Sequence, residues 1–102
     1  MLLAGDIGGT KTHLAIFSPD KGPRHAVVEK VYPSAGYPNL ESITQEFMAE
    51  VNLPIERAVF GVAGPVVDAQ ATITNLPWII RETRLREAVS YTHLRAHETV
   101  LD

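Results

Sequence analysis

The hydrophobic pattern starts with two short apolar runs separated by a glycine pair. Leu2 to Ile7 ends in Gly8-Gly9, and Thr12 to Phe17 ends in Ser18-Pro19-Asp20. β-Branched and bulky residues between turn formers predict two strands joined by a glycine turn. Lys21-Gly22-Pro23 continues the second turn, and Ala26 to Val31, with Val27, Val28 and Val31, predicts a third strand. Three consecutive strands predict an antiparallel meander. Pro33 to Pro38, with Gly36 inside it, reads as a loop.

The period then changes from two to between three and four. Leu40, Ile43, Phe47 and Val51 line one side of a helix, with Glu41, Gln45, Glu46 and Glu50 mainly outside. Asn39 is placed to cap it, and Asn52 and Pro54 to stop it. Arg57 to Ala63 predicts a strand, and its nearly continuous Ala58-Val59-Phe60-Gly61-Val62-Ala63 implies cover on both faces. A helix followed by such a strand implies a parallel partner in the sheet. Gly64-Pro65 breaks it. Val66-Val67 and Ala71 to Thr74 predict a small hairpin around Asp68-Ala69-Gln70, and Asn75-Leu76-Pro77-Trp78 a turn. Helical character returns from Arg81 to Val89. There is no internal repeat and no low-complexity stretch.

Composition narrows the class. The 102 residues are 45% hydrophobic and 21% charged, with nine basic and twelve acidic side chains and a net charge of −3. That suits a soluble globular domain with one modest core and gives no general attraction to nucleic acid or anionic membrane. The absence of cysteine excludes disulfides, thiolate metal sites and a thiol nucleophile, and fits a cytoplasmic location. No secretory or membrane-spanning segment is expected, because Asp6 interrupts the first apolar run.

The chemistry concentrates in Gly5-Asp6-Ile7-Gly8-Gly9-Thr10-Lys11-Thr12. Two glycines at a strand-to-strand turn let backbone N–H groups approach an anion, and the hydroxyls of Thr10 or Thr12 can donate to the same oxygens. Asp6 would repel a bare polyphosphate, so its place beside the turn makes sense with Mg²⁺ between carboxylate and phosphate. A plain hairpin accounts for the same residues, since Gly-Gly is a common turn pair and Asp6 or Thr10 can satisfy local backbone groups. The segment is not a P-loop: it lacks the Gly-Lys-Ser/Thr ending, and a strand follows it. Lys11 and Asp68 have bland accounts as a solvated strand-end lysine and a turn residue.

This segment resembles the first phosphate loop of the actin-like ATPase superfamily, in the form found in sugar kinases. Phe60-Gly61-Val62-Ala63-Gly64-Pro65-Val66 and Thr74-Asn75-Leu76-Pro77-Trp78 are similar to segments of the bacterial glucokinase family, in that order and at suitable spacing. The resemblance runs from about Leu2 to Val89. It implies an α/β fold: a partial ribonuclease-H-like domain whose mixed sheet has an antiparallel meander, a crossover helix and a parallel strand. It also implies ATP-dependent phosphorylation of glucose or a related hexose, with ATP phosphates at Gly5, Asp6, Ile7, Gly8, Gly9 and Thr10 and Mg²⁺ near Asp6. Asn75, and less directly Thr74, become hexose-side candidates. Asn75 also suits a turn or cap, and Trp78 a packing anchor.

In that family the catalytic base is an aspartate of an Asn-Asp pair, on the strand after the helix beginning near Arg81. This chain has no Asn-Asp pair. The family's sugar-binding Glu and His residues and its adenosine pocket also lie farther along than this sequence reaches. Residues 1–89 are therefore expected to be the N-terminal part of a nucleotide-binding domain, inactive alone, and residues 90–102 a foreign tail resembling translated adapter DNA. A sheet without its last parallel strand and without helices on one face should expose an apolar patch and favour self-association. His93 and His97, four apart, invite a metal reading, but no third ligand is evident and the order is not His-Glu-x-x-His. Two alternatives stay open: a non-catalytic sugar-responsive regulator of the same fold, and a nonfunctional gene fragment.

Overall fold

The computed structural model describes residues 1–20, 22, 24–89 and 98–101. β1 (Leu2–Ile7), β2 (Lys11–Phe17) and β3 (Ala26–Pro33) form the expected antiparallel meander. A single 3-10 turn, Ser34–Gly36, leads to α1 (Leu40–Val51). Asn39 caps α1 as its sequence position indicates, its Oδ1 accepting the Ser42 N–H at 2.8 Å. At the other end Asn52 takes the left-handed conformation, φ 49°, and its N–H returns to the Met48 carbonyl at 3.0 Å. The crossover then delivers β4 (Arg57–Val62) parallel to β1, Leu3 beside Ala58 and Gly5 beside Phe60.

The expectation of a missing last parallel strand is corrected. β8 (Glu98–Leu101) lies parallel to β4, giving the sheet order β3-β2-β1-β4-β8. Thr99-Val100-Leu101 has the β-branched and apolar character a sheet edge accepts, and Leu101 reaches the core. A second sheet holds β5 (Val66–Val67), β6 (Gln70–Thr72) and β7 (Ile79–Arg81), all antiparallel. Asp68 and Ala69, at φ 54° and 58°, make the two-residue loop between β5 and β6. β7 was not expected, because Ile79-Ile80 is too short a run to signal a strand beside the helical pattern that follows. The second helix, α2 (Glu82–Val89), then begins one residue later than its pattern suggests.

One alternating set of residues builds the core: Leu3 and Ile7 of β1, Leu14 and Ile16 of β2, and Phe60 of β4, against Ile43 and Phe47 of α1 and Leu85 and Val89 of α2. Gly5 belongs to this face. A Cβ there would lie 2.8 Å from the Phe60 ring and 3.1 Å from Leu14 Cδ2, so glycine makes room for Phe60 in mid-strand. The other alternating set leaves Val31 57% exposed and Val59 39% exposed. The expected apolar patch is on that face, the one expected to lack covering helices.

Candidate functional site

The site lies at the carboxyl ends of the adjacent parallel strands β1 and β4, the position where open α/β sheets bind ligands. β1 delivers Asp6 exposed and Ile7 fully buried, one on each face of the sheet. Ile7 anchors the end of the strand: its side chain is in the core and its carbonyl accepts the Ala63 N–H at 3.1 Å. Asp6 thus stands on a fixed backbone with its carboxylate toward solvent, opposite His13 on β2. The His13 Nε2 atom lies 3.4 Å from Glu29 Oε2.

The glycine turn is closed by the Gly8 N–H donating to the Lys11 carbonyl at 2.9 Å. It is held from behind by Ser34, whose N–H donates to the Thr10 carbonyl at 3.0 Å and whose Oγ donates to the Gly8 carbonyl at 2.8 Å. These bonds do not include the amides of Gly9 and Thr10. Thr10 and Lys11 are exposed, so Lys11 is the solvated strand-end lysine its position suggested. Thr12 is corrected: it is fully buried, and its hydroxyl contacts Ser34 Oγ at 2.9 Å instead of facing the outside of the turn. Ser34 was missed by sequence reasoning, since it reads as part of a loop 22 residues beyond Thr12.

The structure brings Thr74 to the same turn. A Cβ on Gly9 would lie 3.3 Å from the Thr74 carbonyl oxygen, a close approach that only a residue without a side chain makes easily. Asn75 follows in the left-handed conformation, φ 72°, and is exposed, as a turn residue with a side chain available to solvent. Gly64 packs still closer: a Cβ there would meet the Thr72 carbonyl at 2.6 Å. The end of β6 therefore leans on the Gly64 turn, and the connection that follows it on the Gly8-Gly9 turn. Trp78 is 2% exposed and its Nε1 donates to the Tyr37 carbonyl at 3.1 Å, which makes it a packing anchor.

Among the described residues no group of three His, Cys, Asp or Glu side chains is placed to hold a metal ion. The residues at the turn do fit magnesium carried by phosphate, because that ion keeps several waters and needs only one or two carboxylates beside the phosphate oxygens. Asp6 is the carboxylate in place. His93 and His97 lie outside the described residues. An apolar cavity of about 490 Å³ at the opposite end of β1 and β2, between Leu2, Phe17 and Pro19, contains none of these groups. No helix among the described residues is long and apolar enough to cross a membrane.

The mixed sheet, its crossover helix and the strand parallel to β1 make this chain part of a domain of the actin-like ATPase fold, the fold of its sugar kinase neighbours. A glucokinase family model matches residues 3–96, and the chain belongs to the glucokinase family. It is 42% identical over 96 residues to a glucokinase of Nostoc punctiforme, covering 92% of this chain and 28% of that protein. It is 32% identical over 94 residues to a glucokinase of Caulobacter vibrioides, covering 91% and 28%. The crystal structure of a glucokinase from an Antarctic psychrotroph superposes with a TM-score of 0.78 at 27% identity, over 98% of this chain and 31% of that one. A ROK family glucokinase from Streptomyces griseus, solved with glucose and AMPPNP, shares the fold with a TM-score of 0.60 at 22% identity, over 99% of this chain and 32% of that one. The chain spans about 28% of the length of the curated relatives it matches.

Proposed function

We propose that this chain supplies the phosphate-binding corner, and part of the hexose side, of an ATP-dependent glucokinase. The whole protein would transfer the γ-phosphoryl group of ATP to glucose, giving glucose 6-phosphate and ADP. The observation that carries this reading is the meeting of two turns: Gly8-Gly9-Thr10, with Asp6 beside it, lies against the carbonyl of Thr74. Phosphoryl transfer needs the phosphate chain and the accepting hydroxyl held close together, and such positioning supplies much of the catalysis.

In this reading the backbone of Gly5, Asp6 and Ile7 sets the approach to the turn, Gly8 and Gly9 admit the phosphate oxygens, and the Thr10 hydroxyl donates to them. Magnesium, when bound, neutralises phosphate charge, and Asp6 would hold its water shell. Asn75 presents a side-chain amide to sugar hydroxyls, with Thr74 placing it. The chain has no Asn-Asp pair to supply the base that accepts the hydroxyl proton, so residues 1–102 alone should not turn over glucose. The open apolar face would favour self-association of this chain in isolation.

Titration of the ¹⁵N-labelled chain with Mg²⁺-ATP, followed through the amide signals of Gly8 to Thr10, tests the reading. Saturable shifts confined to the turn, weakened in Asp6→Ala, are expected. Equal titration curves for wild type and Asp6→Ala would remove the role given to Asp6, and an unresponsive turn would remove the phosphate site.

A further inference from the structure

The peptide between Gly8 and Gly9 is the one in the turn with a glycine on each side. Both flanking residues lack a Cβ and accept either sign of φ, so this peptide can flip with little steric penalty. A flip would exchange the directions of the Gly8 carbonyl and the Gly9 N–H, which point oppositely in one planar trans unit. An anion site built on the Gly9 amide therefore needs something to hold the carbonyl on the other side.

Two buried hydroxyls do this. Ser34 Oγ has one proton, and it is given to the Gly8 carbonyl at 2.8 Å. The contact of 2.9 Å between Ser34 Oγ and Thr12 Oγ1 must then have Thr12 as donor. The result is a one-way chain, Thr12 O–H to Ser34 O–H to Gly8 C=O. Both residues are fully buried, and bonds in such a chain strengthen one another. The hairpin does not need the chain in order to close, because β1 and β2 already pair through Ile7 and Thr12 and the Gly8 N–H already reaches the Lys11 carbonyl. What the chain acts on is the direction and polarity of one peptide group.

We infer that Ser34 and Thr12 are positioning residues of the phosphate turn, a hydroxyl relay that locks the Gly8–Gly9 peptide and turns the Gly9 N–H outward as a donor to a phosphate oxygen. This rests on the phosphate reading given above. The Gly8 carbonyl, pulled by the relay, withdraws charge from its own N–H partner. Ser34 adds a second restraint by donating its own N–H to the Thr10 carbonyl at 3.0 Å. The relay comes from the 3-10 turn after β3, so it also ties the site to the third strand of the meander.

The test uses the full ¹³C,¹⁵N-labelled chain, wild type and Ser34→Ala, Thr12→Val and Thr12→Ser, with magnesium tripolyphosphate as the probe. In the ligand-free proteins the Gly8 carbonyl ¹³C shift reports the relay. It should move in Ser34→Ala, move less in Thr12→Val, and stay near wild type in Thr12→Ser, which keeps the hydroxyl. On titration, Ser34→Ala should weaken binding about tenfold, the loss of roughly one hydrogen bond, and Thr12→Val about threefold, the loss of the bond's support. Thr12→Ser should bind like wild type. If Ser34→Ala does not fold, the Thr12→Val and Thr12→Ser pair decides. Unchanged Gly8 carbonyl shifts and unchanged affinity in Thr12→Val overturn the relay. A wild type that shows no saturable shift overturns the phosphate reading, and the ligand-free carbonyl shifts then judge the relay by themselves.

Discussion

On the face of the large sheet that α1 and α2 cover, Leu3, Ile7, Leu14, Ile16 and Phe60 are fully buried, while on the opposite face Val31 and Val59 keep 57% and 39% of their surface in water. Both sets come from the same strands at alternate positions, so the difference lies in what covers them. The corner that holds the glycine turn uses the contrast. Ile7 and Thr12 belong to the covered face and hold the glycine turn from inside, whereas Asp6 and His13 belong to the open face. A carboxylate one residue before a buried isoleucine is thereby exposed on a backbone that cannot drift. Rigidity comes from one face and access from the other.

If that division holds, the largest effect should come from the covered face. Phe47 is fully buried between the helix and the sheet and meets the Tyr32 ring edge-on at a centroid distance of 6.4 Å. Phe47→Ala should cost about 3–5 kcal/mol, from lost transfer energy and the cavity left behind. For a chain of this size that is a large share of total stability, and urea or thermal unfolding should show a midpoint far below that of the wild type. A loss under about 1 kcal/mol, well below the range for buried aromatic truncation, would mean that α1 is not held on the sheet as described.

Much of the covered side was legible in the sequence, because each of its elements announces itself locally. Leu40, Ile43, Phe47 and Val51 repeat at helical spacing between Asn39 and Asn52, and both asparagines take the cap roles that their positions indicate. The meander and the parallel strand were likewise readable from β-branched runs between turn formers. β7 and β8 were not, being three and four residues long and recognisable only by their partners. At the site, the glycines and Asp6 were visible as a motif, but Ser34 was not, since its role depends on a fold that brings the end of β3 to the β1–β2 turn. Thr12 misled for the same reason: a hydroxyl next to a glycine turn suggests a ligand, and only the alternation of β2 sends it inward.

Tyr32 offers a more discriminating probe of the same face. Its ring is buried beside Tyr37 and Phe47, and its hydroxyl has no hydrogen-bond partner among the described residues. Burial, with Glu50 and Glu46 nearby, pushes the phenol up to about 12. A raised pKa in the folded state means that the neutral form is favoured there. The stability this represents is complete below pH 10 and is lost as pH climbs from 10 toward 12. Tyr32→Phe should remove this group's part of the alkaline loss. It should also stabilise the protein at neutral pH by about 1 kcal/mol, because an unpartnered buried hydroxyl is costly. Denaturant midpoints at pH 7 and pH 11 for both proteins give the comparison. A Tyr32→Phe variant less stable than wild type at pH 7 would show that the hydroxyl is satisfied in solution.

The smallest stability effect belongs to the open face, where a charge should be nearly free. Val31 sits on the edge strand β3, opposite His13, with Glu29 and Pro33, two positions away on the same face, also exposed. A lysine stem can lie along apolar surface with its ammonium in water, so Val31→Lys should change unfolding free energy by no more than about 0.5 kcal/mol. Its effect on association should be larger than its effect on folding. A charge on a sheet edge blocks pairing between chains, and it interrupts the apolar surface that Val31 and Val59 present. Sedimentation over a range of concentrations should therefore show less self-association in Val31→Lys than in wild type, with unfolding midpoints that coincide at low concentration. A destabilisation of about 2 kcal/mol, the scale of a buried site, would place Val31 under cover and collapse the distinction between the two faces. Equal association with equal stability would keep the distinction but move the sticky surface away from the β3 edge, toward Val59 and Val100.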